Sequence, residues 1–113
     1  MAAYTVRRLG ELIEHRVLTS SSASLSLREL AKEANLSVFH FAREFRRTMG
    51  VSPYAYVLSK RLKFARSLIA GTPMPVADIA AQTGFKSRAH FGALFRRQMG
   101  VSPATLRRAI HSE

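Results

Sequence analysis

The feature that most constrains the fold of this chain is a nine-residue segment that occurs twice. FRRTMGVSP, at residues 45–53, returns as FRRQMGVSP at residues 95–103, an interval of 50 residues. Both copies keep the same order of apolar positions, paired arginines, glycine and proline, which indicates a repeated supersecondary element. The sequence therefore predicts two copies of one small unit, and a function that is carried out twice.

The length and composition allow one modest domain or two very small ones. The chain has 113 residues, of which 47% are hydrophobic, so it can bury a core and is not disordered by composition. It has no cysteine, which excludes disulfides, thiolate zinc sites and cysteine nucleophiles. Its longest apolar runs are short, so we expect no signal peptide, no membrane span and a cytoplasmic protein.

The positive charge is concentrated in the later part of the chain. The formal net charge is +11, and residues 45–113 hold twelve Lys or Arg against two acidic residues. Such a charge attracts polyanions, either nucleic acid through phosphate neutralisation or anionic lipid through the surface potential. Because charge alone is also compatible with a merely soluble basic surface, the partner has to be identified from the motifs.

Apolar residues recur at helical spacing and almost nothing resembles a strand, so we predict an all-α fold with seven helices. The predicted helices cover about residues 4–18, 27–33, 38–49, 53–71, 76–82, 88–99 and a last segment after Pro103. Ser26, with Glu29 three residues later, matches a capping box. Gly50 and Gly100 are placed to end the third and sixth helices.

The predicted helices form two helix-turn-helix subdomains joined by the long fourth helix. Seven positions match across the copies: Leu30/Ile79, Ala31/Ala80, Leu36/Phe85, Phe41/Phe91, Phe45/Phe95, Met49/Met99 and Tyr56/Leu106. The offset changes from 49 to 50 after the fifth helix, so we expect the second turn to be one residue longer. We divide the chain into an N-terminal subdomain (1–52), a linker helix (53–71) and a C-terminal subdomain (72–113). In such units the second, recognition helix lies in the DNA major groove.

Three segments resemble the DNA-binding domain of bacterial transcription regulators of the AraC/XylS type: ELAKEANLSVFHFAREFRRTMGVSPYAYV, KRLKFARSLI and DIAAQTGFKSRAHFGALFRRQMGVSP. The resemblance covers roughly residues 8–108. Its most specific positions are Ile79-Ala80, Gly84-Phe85, Ser87, His90-Phe91, Phe95-Arg96 and Gly100 to Pro103. It implies two helix-turn-helix subdomains, bridged by the central helix, that bind successive major-groove segments on one face of double-stranded DNA. Such regulators are mostly activators, so RNA polymerase is a further expected partner.

In the first recognition helix, about 38–49, Phe41 and Phe45 are expected to face the core because they are four residues apart. The outward or flanking candidates for DNA contact are Val38, Phe39, Ala42, Arg43 and Arg46. Arg43 leads, since its guanidinium can make two hydrogen bonds to guanine O6 and N7. Phe39 can contact a thymine methyl or complete the core, and the sequence leaves both interpretations open.

In the second recognition helix, about 88–99, Phe91 and Phe95 take the core face. Six candidates remain for DNA contact: Arg88, Ala89, His90, Gly92, Ala93 and Arg96. Arg88 is the clearest base reader, whereas His90 is expected to be structural or to contact phosphate. Gly92 costs up to about 1 kcal/mol relative to alanine within a helix. Either the backbone approaches DNA closely here, or this half mainly positions the protein on phosphates while the first half specifies bases.

Further candidates are expected to contact the DNA backbone. Ser37 and Ser87 stand at the starts of the recognition helices, where they can cap free N–H groups and where a phosphate can also bind. Arg46, Arg47 and Arg97 follow on the same helices and are expected to meet phosphates or solvent. Contacts of this kind position a protein on DNA without specifying bases.

Other functional classes fit the sequence less well. The four histidines lie on separate predicted elements without catalytic or metal-binding spacing, so we expect no enzyme activity, no metal site and no cofactor. A nonspecific basic nucleic-acid-binding module explains the charge but not the duplicated recognition helices. The chain begins almost where the DNA-binding domain should, so we expect a fragment of a longer regulator rather than a stand-alone one. A missing N-terminal effector or dimerisation domain is then a further partner.

Overall fold

A computed structural model describes residues 3–19 and 26–111, and every regular element in these ranges is a helix. The helices are α1 (Ala3–Thr19), α2 (Leu27–Glu33), α3 (Val38–Met49), α4 (Pro53–Gly71), α5 (Val76–Gln82), α6 (Arg88–Met99) and α7 (Pro103–His111). The predicted all-α fold with seven helices is therefore confirmed over this part of the chain. α1 extends one residue beyond the predicted helix at each end. Between the first two predicted helices, residues 20–25 lie outside the described residues.

The helices begin and end at the capping residues that the sequence predicts. The Glu29 backbone N–H donates to Ser26 Oγ (3.1 Å), as expected at the start of α2. Gly50 and Gly100 follow α3 and α6 with φ angles of +82° and +85°, in the left-handed region that favours glycine. A proline begins both α4 and α7, where its missing N–H removes no helical hydrogen bond.

Backbone contacts divide the chain into two compact units, Met1–Lys60 and Arg61–Glu113, and the division falls within α4. The first unit contains the helix-turn-helix pair α2–α3, and the second contains α5–α6. The sequence repeat therefore corresponds to one helix pair in each unit. The finer division into subdomains 1–52 and 72–113 with a separate linker helix stays a prediction.

The core of the first unit forms where α1 and α2 pack on α3. Its fully or nearly fully buried side chains are Val6, Leu9, Ile13, Leu30, Ala31, Phe41, Phe45 and Val57. The Phe45 ring meets the Tyr56 ring edge-on, with centroids 5.4 Å apart. A Cβ at Gly10 would lie 3.2 Å from both Met49 Cε and Tyr56 Oη, so α1 passes close to the end of α3 and the start of α4.

Lys60 of α4 is held against α1 rather than extended into solvent. Its Nζ lies 3.5 Å from Glu14 Oε2 and 5.2 Å from the centroid of the Tyr56 ring. Only 22% of the Lys60 side chain is exposed. Spacing along α4 alone does not reveal this contact, because the carboxylate belongs to α1.

The second unit has the equivalent core on α5 and α6, completed by α4 residues within this unit. Its buried apolar side chains are Leu62, Ala65, Ile69, Ile79, Ala80, Phe85, Phe91 and Phe95. Arg107 of α7 adds a polar anchor by donating to the carbonyl oxygens of Ile69 (3.3 Å), Thr72 (3.1 Å) and Met74 (2.6 Å). One guanidinium therefore satisfies carbonyl groups at the end of α4 and in the segment that leads to α5.

The two turns have the same hydrogen-bonding pattern, which fixes each pair of crossed helices. The Leu36 N–H donates to the Ala31 carbonyl (3.0 Å), and the Phe85 N–H donates to the Ala80 carbonyl (2.9 Å). The residue before each donor has a positive φ, +59° at Asn35 and +94° at Gly84. The second turn then contains one additional residue before its helix, as the shift in offset predicts.

Candidate nucleic-acid interface

Both recognition helices begin with a serine cap. The His40 N–H donates to Ser37 Oγ (3.1 Å), and the His90 N–H donates to Ser87 Oγ (3.2 Å). The predicted capping role is therefore confirmed for Ser37 and Ser87. A phosphate contact at these positions stays a prediction.

Arg43 occupies the centre of the outward face of α3. Phe41 and Phe45 are completely buried, and Arg43 lies two residues from each, roughly 200° around the helix. The guanidinium carbon of Arg43 lies 5.4 Å from the centroid of the Phe39 ring. This distance is typical of a cation–π contact, which places the two side chains together on the outward surface.

Phe39 does not belong to the core, and its contact with a thymine methyl stays a prediction. It is 75% exposed, whereas the buried phenylalanines of α3 are fully enclosed. Val38 is also exposed (39%), Ala42 is half-buried, and Arg46 and Arg47 are exposed. All the side chains suggested for this helix are thus at least partly accessible.

The flank of α3 also contains a carboxylate that sequence reasoning did not single out. Glu44 Oε1 lies 3.3 Å from Arg47 Nη1 and 3.8 Å from His40 Nε2. The Glu44 side chain is 15% exposed and that of Arg47 is 74% exposed. The sequence signal that can reveal it is its isolation, because no other acidic residue occurs between residues 34 and 77.

The outward face of α6 has smaller side chains between its arginines. Phe91 and Phe95 are completely buried, as predicted. Gly92 is half-buried. The other candidates on this helix are exposed: Arg88, Ala89, His90, Ala93, Arg96 and Arg97. A Cβ at Gly92 would meet no atom within 4 Å outside its own local helix. Packing within the unit therefore does not require glycine there.

The two faces have the chemistry of a surface that binds anions. Each presents three exposed arginines, Arg43, Arg46 and Arg47 on α3 and Arg88, Arg96 and Arg97 on α6. Within the described residues, no three His, Asp or Glu side chains gather as a metal site would require. No helix in the described ranges is long and apolar enough to cross a membrane. Exposed guanidinium groups can bind phosphates or the acceptor atoms of guanine.

Two serine-capped recognition helices, each in its own helix pair, place the chain in the class of double helix-turn-helix proteins. A family model described as a helix-turn-helix domain matches residues 30–109. The chain belongs to this family, in its AraC-type form, which confirms the resemblance stated from the sequence. That family consists of DNA-binding transcription regulators.

Comparison with individual proteins gives the same assignment. The chain is 37% identical over 78 residues to the probable transcriptional regulator LumQ of Photobacterium leiognathi, a match that covers 69% of this chain and 32% of LumQ. An AraC-type regulator structure from Chromobacterium violaceum is 25% identical with a TM-score of 0.83, covering 96% of this chain and 94% of that one. The DNA-binding domain of the global transcriptional factor AdpA, solved in complex with a target DNA, is 26% identical with a TM-score of 0.82 and 96% coverage of both chains. This chain spans about a third of the length of the curated relatives that it matches.

Proposed function

We propose that this chain is the DNA-binding part of a bacterial transcription regulator and that it recognises a specific sequence in double-stranded DNA. The observation that carries the proposal is the exposed Phe39–Arg43 pair on a serine-capped recognition helix, together with a second such helix in the repeated unit. The similarity to a domain solved with its target DNA supports the same ligand. The proposed activity is binding without catalysis, in the cytoplasm.

We assign base recognition mainly to α3. Arg43 is suited to guanine O6 and N7, and Phe39 presents an apolar ring edge to a thymine methyl group. Val38 and Ala42 can contribute further apolar contact beside them. Arg46 and the N-terminus of α3 at Ser37 are assigned to phosphates, because such contacts fix the register of a protein on the duplex.

We assign a more sequence-independent role to α6. Arg88 is its one candidate for a guanine contact, whereas Ala89, Gly92 and Ala93 offer no side-chain hydrogen bonds. Arg96, Arg97, His90 and the N-terminus at Ser87 are assigned to phosphates. The second unit then contributes affinity and position, while the first contributes more of the discrimination between bases.

Because one chain carries both recognition helices, we expect it to bind an asymmetric DNA site as a monomer. Two major-groove segments on one face of the duplex are separated by a helical turn of 10 to 10.5 base pairs, so the site spans about 20 base pairs. The proposal predicts two blocks of sequence preference with a less constrained segment between them.

Selection of bound duplexes from a random DNA library at near-physiological salt tests this proposal. Wild type is compared with Arg43→Ala and Arg88→Ala, and Lys63→Ala serves as a control because Lys63 is an exposed cation on α4. We expect an asymmetric two-block motif in which each recognition-helix variant relaxes one block and the control relaxes neither. Loss of a guanine contact costs about 1–3 kcal/mol of discrimination.

A nonspecific basic module is the second candidate function, favoured by the net charge of +11. It predicts no enriched motif, and an affinity that depends on salt through the number of phosphates contacted. That result would refute specific recognition by this chain.

The activity of a longer regulator is a further part of the proposal. We infer an N-terminal effector or dimerisation domain in that longer protein, and activation through RNA polymerase at a neighbouring promoter. Transcription in vitro from a promoter that carries the selected site tests the inferred activation. Increased transcript supports activation, and decreased transcript indicates repression.

A further inference from the structure

The flank of α3 carries a charge that its copy in α6 lacks. Glu44 is the only acidic residue between residues 34 and 77, a stretch that contains seven Lys or Arg. The equivalent residue of the second copy is Leu94, 50 positions later. The side chains that contact Glu44 are nevertheless the same residue types in both copies: His40/His90 and Arg47/Arg97. The two recognition helices thus differ at this position by one negative charge.

Glu44 restrains the arginine that follows it by one helical turn. Its carboxylate lies 3.3 Å from Arg47 Nη1, and the Nε2 of His40 lies 3.8 Å away on the preceding turn. Because only 15% of the Glu44 side chain is exposed, the carboxylate is held against the helix while the Arg47 guanidinium stays accessible. Among the described residues, no carboxylate pairs with Arg97 or His90.

Both effects of Glu44 oppose binding to phosphates. Its negative charge repels the DNA backbone, and Arg47 has to exchange a carboxylate partner for a phosphate before it can contribute to binding. On a selected site, base contacts by Arg43 and Phe39 hold α3 in one register, and Arg47 can stay with Glu44. On a random duplex the phosphates supply essentially all of the affinity, so the loss of one cation matters more there.

We propose that Glu44 is a specificity-determining residue of the first recognition helix, which lowers sequence-independent binding by pairing with Arg47. The inference rests on the proposed function and deepens it, because it explains why the two units differ. The second unit, with Leu94 in place of the carboxylate, leaves Arg97 available to phosphates. The first unit gives up some affinity for random DNA and gains discrimination.

The proposal is tested with Glu44→Gln, which removes the charge, and Glu44→Leu, which copies the second unit. Binding is measured to a random-sequence duplex and to the duplex selected by wild type, between about 50 and 200 mM salt. For the random duplex we expect about 3- to 10-fold tighter binding at the lower salt and a salt slope steeper by about 0.9, the value of one phosphate contact. Affinity for the selected duplex is expected to change less than about 2-fold, since base contacts set its register.

The repeated unit supplies a matched control. Arg97→Gln is expected to weaken binding to the random duplex by about 3-fold or more, whereas Arg47→Gln changes it little while Glu44 is present. In the Glu44→Gln background, Arg47→Gln is expected to have the same effect as Arg97→Gln. Both arginines are exposed, so these variants remain folded, and the cycle isolates the coupling between Glu44 and Arg47.

Unchanged affinity and slope for the random duplex in both Glu44 variants would overturn the proposal. A change of preference at one base pair of the selected motif would also overturn it, because Glu44 would then contact a base, such as the cytosine amino group. The random-duplex measurements need no operator. Failure of wild type to select any motif therefore refutes the proposed function separately, while the coupling of Glu44 with Arg47 is still measured.

Discussion

We expect Gly92→Ala to make the second unit more stable. Glycine in a helix interior is less favourable than alanine by roughly 0.5–1 kcal/mol. The added methyl would meet no atom within 4 Å outside its local helix, so no steric term offsets this gain. At about 4–8 °C per kcal/mol for a domain of 60–100 residues, the melting temperature is expected to rise by roughly 2–8 °C.

Thermal unfolding followed by circular dichroism measures this shift, and Gly10→Ala is its matched control. Gly10 also lies within a helix, but its added Cβ would come 3.2 Å from Met49 Cε and Tyr56 Oη. The gain in helical preference is then offset by displacement of these neighbours, so we expect no increase in melting temperature. A melting temperature of Gly92→Ala that is unchanged or lowered would refute the reasoning from open space.

The same variant separates the two explanations of Gly92. If α6 mainly contacts phosphates, Gly92→Ala changes the affinity for the selected duplex by less than about 2-fold, because phosphate contacts do not require a bare backbone. A loss of about 10-fold or more in a more stable protein would instead mean that the α6 backbone approaches the bases closely. That result would contradict our assignment of α6 to a more sequence-independent role.

Three further predictions concern capping, anchoring and recognition. Ser87→Ala removes the hydrogen bond from the His90 N–H to Ser87 Oγ and is expected to lower the unfolding free energy by about 1 kcal/mol, with Ser37→Ala in the first unit as its counterpart. Equal stability of wild type and variant in a thermal melt would contradict this. Arg107→Lys is expected to lower the unfolding free energy, measured by chemical denaturation, by about 2–3 kcal/mol, because one ammonium cannot span the three carbonyl groups that the guanidinium binds. A loss below about 0.5 kcal/mol would show that the protein does not need these three hydrogen bonds. Phe39→Ala is expected to leave the melting temperature nearly unchanged, since Phe39 is 75% exposed. Binding to the selected duplex is expected to weaken by roughly 10- to 100-fold, because the ring is buried against DNA in the proposed complex. A stability loss as large as that of a core phenylalanine would be inconsistent with the exposed position of Phe39.

Helix boundaries were predictable because local chemistry fixes them. The predicted ranges of α2, α3, α5 and α6 agree with the structure. Serine or proline stands at each start, and a residue suited to a turn follows each end within two positions: Asn35, Gly50, Gly84 and Gly100. Gly50 and Gly100 end their helices in a left-handed backbone conformation that glycine adopts without steric cost. The end of a helix can therefore be predicted from a few neighbouring residues.

The outward faces were predictable in part. Helical spacing correctly placed Phe41 and Phe45 in the core and Arg43 opposite them. It left Phe39 undecided, because the exposure of a residue on the flank of a helix depends on which other helices pack beside it. The structure places α1 and α2 against α3, and this packing leaves the Phe39 ring accessible.

By itself, the sequence determined the repeated unit, the helix ends, the core positions and the basic character of the chain, since each follows from composition or from spacing within one helix. The tertiary structure decided the contacts between distant segments. Only packing brings Glu14 to Lys60 and places the Arg107 guanidinium at carbonyl groups at the end of α4 and in the segment after it. These contacts join residues more than 30 positions apart, so their partners depend on how the helices cross rather than on any local pattern.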